Sequence, residues 1–291
     1  MAPRHWNERR IELPDRGDLW VRHAPAPPGR PTFLLLHGWT ATADINWGTS
    51  YEALRLRGGV VALDHRGHGR GLRRVRFSLE GCADDATDVA RILGVDRAIA
   101  VGYSMGGAIA QIAAKRHPDL VRGVVLAATA GTFNDHPRER RVFRALAGLT
   151  TVARALPVDM RTAAAHRLIA ARNGTSLADT AEHLRSHDWL RIAEAGQALG
   201  RFDSRAWLEE LEVPVANVVT VADTVVSVRR QLNLAEFAGS AGVVPVHGGH
   251  SVPQMAPNRF VPRLLHAIEL IEIAQATSAP RASAAAETLG P

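Results

Sequence analysis

Short apolar runs, each bounded by polar or turn-forming residues, recur along the first 131 positions and return after 212. Segment 32–38, TFLLLHG, carries an unbroken apolar run from Phe33 to Leu36. That continuity is expected of a strand buried on both faces of a parallel sheet rather than of one with a wet face. Segments 59–69 (GVVALDHRGHG), 98–102 within RAIAVG, and 121–131 (VRGVVLAATAG) have the same character. Helical periods separate them, at 50–57, at 78–95 with Val89, Ile92 and Leu93 on one side, and from Met105 to a stop at Pro118. Ahead of them, RRIELPDRGDLWVRHA alternates apolar and polar positions around Pro14-Asp15-Arg16-Gly17, predicting two strands and a tight turn. Strand and helix in alternation predict an α/β fold with a mostly parallel central sheet covered by helices on both faces.

The alternation stops at residue 132. From 132 to 212 no segment reads as a strand, while two read as amphipathic helices: one carrying Phe143, Leu146 and Leu149, the other Leu184, Ile192 and Leu199. Strand patterns resume at 213–223 (VPVANVVTVAD) and 242–250 (GVVPVHGGH), followed by a helix over about 258–273. The expected organisation is a core in two parts, 1–131 and 213–273, interrupted by an all-helical cap at 132–212. Ligands bind at the carboxyl edge of such sheets, so an insertion there is placed to act as a lid. The tail 274–291 has no period and no bulky side chain apart from one leucine, and is expected to be disordered.

Composition narrows the partners. The chain has 291 residues, is 46% hydrophobic, and has 35 basic against 29 acidic residues, a net charge of +6. All but one of the basic residues is arginine, Lys115 being the exception, and the densest patches are 66–76 and 136–144. Neither patch comes with helix-turn-helix or zinc-finger spacing, so no nucleic-acid partner is expected. No run approaches the roughly 20 apolar residues of a membrane span. The polar N-terminus lacks a signal-peptide core, and Cys82 is the one cysteine, so a cytoplasmic location is expected. His183 and His187 are four apart in a helical pattern, but without the glutamate placement of H-E-x-x-H or a third ligand at a recognisable distance they read as a solvated face; no metal and no cofactor are expected.

The sharpest local feature is AVGYSMGGAIAQ, residues 100–111, with glycine two positions before and after Ser104. G-x-S-x-G between a strand and a helix marks a turn so sharp that side chains flanking the serine would meet backbone. Glycine has no Cβ to collide. The serine hydroxyl is then presented at the top of the sheet, over a helix N-terminus that favours developing negative charge.

With this elbow, the chain resembles the α/β-hydrolase fold superfamily over roughly residues 10–273. LLLHGWT resembles its H-G-x loop, VVALDHRGHG its D-x-R-G-x-G segment, VPVANVVTVADTVVS its acid turn, and VHGGHSVPQMAPNRF its histidine loop. At Ser227 the family often has proline. The order Ser104, Asp223, His250 is that of the fold. The resemblance implies Ser104 as nucleophile, His250 as its general base, and Asp223 as the carboxylate that orients the imidazole; Asp135 is the rival acid. It implies backbone N–H groups of Trp39 and Met105 as the oxyanion hole. Trp39, Asn46 and Trp47 read otherwise as core, and Asp64, His65 and Arg66 as supports of the neighbouring loop.

The implied reaction is acyl transfer through an acyl-enzyme on Ser104. Serine at this position argues against the haloalkane and epoxide branches, which need aspartate. The first expectation is hydrolysis of a small-molecule carboxylic ester with an apolar acyl group. A thioesterase, a cofactor-free perhydrolase (whose loop HGW resembles), an acyltransferase and a carbon–carbon hydrolase or lyase would use the same three residues. A ligand-binding receptor on the same fold is the non-enzymatic alternative.

Overall fold

The computed structural model describes residues 6–155, 160 and 186–278. Eight strands form one sheet in the order β1-β2-β4-β3-β5-β6-β7-β8. The hairpin comprises β1 (Asn7–Leu13) and β2 (Gly17–Ala24), turning through Asp15 and Gly17, both at positive φ. Six further strands run parallel to one another: β3 (Thr32–Leu36), β4 (Gly59–Leu63), β5 (Ala98–Tyr103), β6 (Val121–Ala127), β7 (Val215–Thr220) and β8 (Gly242–Val246). Each overlaps a segment whose apolar run predicts a strand, β5 running one residue past its segment to Tyr103.

Alternation within those runs sends side chains to two cores. Leu34, Leu36, Val61, Ala100 and Leu126 join one cluster, and Phe33, Leu35, Ala62, Val101 and Ala127 the other. The first is covered by α3 (Leu79–Ile92) and α4 (Met105–Arg116). The second is covered by α1 (Ala43–Trp47), α2 (Tyr51–Arg55) and the last helix, Pro257–Ser278. That last helix extends five residues beyond the point where bulky side chains stop, because Ala274, Gln275 and Ala276 are good helix formers. Residues 279–291 lie outside the described residues.

Between β6 and β7 the chain forms α5 (Pro137–Ala155) and α6 (Trp189–Leu199). Phe143 and Leu146 of α5 pack at Gly200 and Gly196, so the apolar stripe of α5 faces α6. Leu184 and His183 lie outside the described residues. The remaining α-helices among the described residues are α7 (Val228–Phe237), α8 (Val252–Met255) and, in chain order, α9 for Pro257–Ser278. Parallel strands share a direction, so the segments leaving β3, β5, β7 and β8 all emerge at one edge of the sheet. Those four segments carry Trp39, Ser104, Asp223 and His250.

Candidate active site

Ser104 joins β5 to α4 in a backbone conformation of φ 54° and ψ −117°, rare for a residue with a side chain. Glycine is required on both sides. A Cβ on Gly102 would lie 2.6 Å from the Gly106 carbonyl carbon, and one on Gly106 would lie 2.8 Å from His37 O and closer still to Leu36 O. The strained turn is held by its neighbours: Ser104 N–H donates to Ala127 O at 2.9 Å, and Thr129 Oγ1 donates to Ser104 O at 2.7 Å.

His250 follows β8, and its Nε2 lies 3.0 Å from Ser104 Oγ. Its Nδ1 lies 2.8 Å from Asp223 Oδ2, completing a chain of three side chains from three strand ends. Tyr103 Oη donates to His250 O at 2.7 Å and fixes the backbone of the histidine loop. Because Asp223 accepts at Nδ1, that nitrogen carries the proton and Nε2 is left as an acceptor facing the serine hydroxyl.

Asp223 is fully engaged. Besides His250, Oδ2 accepts from Thr220 Oγ1 at 2.7 Å, and Oδ1 accepts from the N–H groups of Val225 at 2.8 Å and Val226 at 2.9 Å. Burial acts to raise its pKa, but the hydrogen bonds from His250 and Thr220 outweigh it and hold the carboxyl below its ordinary value. Gln231 Nε2 in turn donates to Thr220 Oγ1 at 2.9 Å and to Val226 O at 2.7 Å, bracing the acid turn from α7. Asp135, the rival acid, is exposed, faces Arg205 at 3.5 Å and Arg230 at 3.8 Å, and does not touch His250.

The loop after β3 lies against Ser104: a Cβ on Gly38 would stand 3.4 Å from Ser104 Cβ. Trp39 and Met105 each present a backbone N–H that bonds to no described residue. The Trp39 indole is not simply core, since its Nε1 donates to Ile192 O of α6 at 2.8 Å and its ring fills the space that a side chain at Gly196 would need. Trp47 is fully buried.

Asp64, His65 and Arg66 shape the adjoining loop. Asp64 accepts from the N–H groups of Ala43 at 2.7 Å and Arg70 at 2.8 Å, and the Arg66 guanidinium grips both oxygens of Asp85. His187 corrects the expectation of a solvated helical face. It is 4% exposed, precedes the N-cap Asp188, and its Nδ1 accepts from Gly69 N–H at 3.1 Å. The tight glycine turn at 67–69, which brings that N–H to it, is what the sequence spacing could not show. Among the described residues no group of three or more His, Cys, Asp or Glu is placed to hold a metal ion, and Cys82 is buried with its thiol pushed up by burial. No described helix is long and apolar enough to cross a membrane.

A family model for the alpha/beta hydrolase fold matches residues 31–253, which include the serine turn, the acid turn and the histidine loop. The chain belongs to the alpha/beta hydrolase fold family. Among its relatives, this alpha/beta hydrolase is 30% identical over 258 residues to a Caulobacter vibrioides protein named "Putative carbamate hydrolase RutD", covering 85% of this chain and 93% of the relative. It is 28% identical over 250 residues to the protein of the same name from Caulobacter sp. strain K31, covering 82% and 90%. Solved structures share the fold: a hydrolase from Pseudomonas aeruginosa (TM-score 0.70, 21% identity, 90% of this chain and 98% of that one) and an enol-lactonase from Burkholderia xenovorans (0.69, 19%, 90% and 100%). The alpha/beta hydrolase fold thus accounts for nearly the whole described chain.

Proposed function

We propose that this alpha/beta hydrolase cleaves small-molecule carboxylic esters through an acyl-enzyme on Ser104. The observation that carries the reading is the unbroken chain from Ser104 Oγ through His250 to Asp223, at 3.0 Å and 2.8 Å. A serine hydroxyl is a weak nucleophile until a base within hydrogen-bond reach takes its proton. In this reading His250 Nε2 accepts that proton as Oγ bonds to the ester carbonyl carbon, and the carbonyl π electrons move to oxygen. The N–H groups of Trp39 and Met105 receive the oxyanion. Its collapse expels the alkoxide, which takes the proton back from His250, leaving the acyl group on Ser104. Water, deprotonated by His250, then repeats the addition and releases the acid. Asp223 orients the imidazole and stabilises its charged form without taking the proton.

Residues 132–212 act as a cap over a core made of 1–131 and 213–273. An apolar acyl group is favoured by the Leu, Val, Ile and Ala content of residues 132–212. Carbamate hydrolysis is the second reading. It is favoured by the names of the relatives, and a carbamate carbonyl meets the same nucleophile in the same way. Turnover of p-nitrophenyl acetate, butyrate, octanoate and N-butylcarbamate by wild type and Ser104→Ala tests both. Serine-dependent turnover led by the esters supports the first reading, turnover led by the carbamate supports the second, and turnover unchanged in Ser104→Ala overturns the mechanism.

A further inference from the structure

The peptide groups on either side of Trp39 in the loop after β3 have identifiable partners. Gly38 N–H donates to Asn46 Oδ1 at 2.6 Å. Gly38 O accepts from His37 Nδ1 at 2.8 Å and from Ala41 N–H at 3.3 Å. Trp39 O accepts from Thr40 Oγ1 at 2.6 Å, and Thr40 N–H donates to His68 Nε2 at 3.2 Å. Of the four amide N–H groups from Gly38 to Ala41, that of Trp39 is the one with no partner among the described residues.

The donors on either side of it are therefore tied by side chains from two different elements, Asn46 in α1 and His68 in the loop after β4. Both side chains belong to buried residues, 4% and 0% exposed. His68 Nδ1 lies 3.0 Å from Arg66 O, a carbonyl that only accepts, so the proton is on Nδ1 and Nε2 is a bare acceptor aimed at Thr40. Thr40 itself is β-branched at φ 59°, a conformation that such a residue does not hold unaided. A trans peptide sets N–H opposite C=O, so with Gly38 O turned toward His37 and Ala41 the Trp39 N–H must point the other way.

We propose that Asn46 and His68 are positioning residues that clamp the peptide groups flanking Trp39, and so hold its N–H on the oxyanion formed at Ser104. The oxyanion half of this statement rests on the reading under Proposed function, whereas the clamp does not. The Trp39 N–H gains its partner only as the carbonyl becomes tetrahedral, so loosening the clamp lowers kcat rather than raising KM.

The variants are Asn46→Leu, His68→Leu and His68→Gln, the last placing an amide oxygen near the position of Nε2. Active enzyme is counted in each by fluorophosphonate titration. In both leucine variants kcat for p-nitrophenyl butyrate is expected to fall about ten- to a hundredfold with KM within about twofold. The inhibition constant of butylboronic acid, which takes Ser104 Oγ as a fourth ligand of boron, should rise by a matching factor. His68→Gln should recover most of the loss. A glutamine variant as poor as the leucine one, a loss confined to KM, or unchanged boronate affinity beside a lowered kcat would overturn the positioning role. Amide hydrogen exchange tests the clamp apart from catalysis and needs only wild type: Gly38 and Thr40 amides are expected to be protected, and Trp39 to exchange faster than both. Rapid exchange at Gly38 and Thr40 would overturn the clamp. A wild type that neither turns over esters nor takes up fluorophosphonate would instead overturn the reading under Proposed function, and exchange alone would then decide the clamp.

Discussion

His65→Leu should stabilise the protein, and by more in mild acid than at neutral pH. The His65 ring is 2% exposed, stacked 4.2 Å from the His37 ring, and neither of its nitrogens has a hydrogen-bond partner. Burial, reinforced by His37 and His68, drives its pKa well below the ordinary value, and burial takes His37 down to about 3. Both are therefore neutral in the native state across mild acid. The unfolded chain protonates each below about pH 6.5, binding more protons than the native state, so stability is lost as pH falls from there. At pH 5.5 that loss is about RT ln 11, or ~1.4 kcal/mol for each histidine. Leucine at 65 removes one of the two contributions. It also removes two unpaired polar atoms, whose burial costs on the order of 1–3 kcal/mol, while keeping the backbone N–H bond from residue 65 to His37 Nε2. Urea unfolding of both proteins at pH 7.5 and 5.5 measures the difference. The advantage of the variant should widen by about 1.4 kcal/mol between the two, with m-values unchanged. An advantage equal at both pH values, or a variant less stable than wild type at pH 5.5, would refute the reasoning.

One substitution made at two glycines should act with opposite signs. Gly106→Ala would force a methyl against Leu36 O and His37 O, and overpacking of this kind costs roughly 1–3 kcal/mol or more, lowering Tm and distorting the serine turn. Gly148→Ala adds a methyl to open space on exposed α5 and should gain about 0.5–1 kcal/mol, read as a higher Tm by calorimetry. Thr220→Val deletes a hydrogen bond to the Asp223 carboxylate, an interaction worth about 1.5–3 kcal/mol, so ester kcat should fall at least about tenfold in a folded protein. Full activity in Thr220→Val would show that the other donors suffice to hold the acid.

The fold was legible because its signals are local and repeated. Buried parallel strands leave continuous apolar runs, and the two glycines about Ser104 are dictated by backbone collisions within a few residues of it. The meeting of Ser104, Asp223 and His250 was legible for the same reason: each follows a strand, and the parallel strands deliver them to one edge. Asn46, His68 and Thr220 were not. Their roles depend on which N–H or carboxylate the packed chain brings to them, and nothing in a single buried Asn, His or Thr announces an acceptor or donor at the right place. His187 misled because helical spacing fits any pair four apart, while the residue lies before the helix and faces a glycine turn. Thr220, three residues before Asp223, is the one whose position could have been read, as a hydroxyl within turn distance of a carboxylate.

The central claim is that Ser104 acts as the nucleophile, and pre-steady-state hydrolysis of p-nitrophenyl esters from acetate to decanoate tests it most directly. With wild type the account predicts p-nitrophenol release, abolished in Ser104→Ala, with fluorophosphonate labelling confined to the peptide that contains residue 104. Where deacylation limits turnover, a burst should match the active enzyme. Turnover persisting in Ser104→Ala, or label found on another residue, would contradict it.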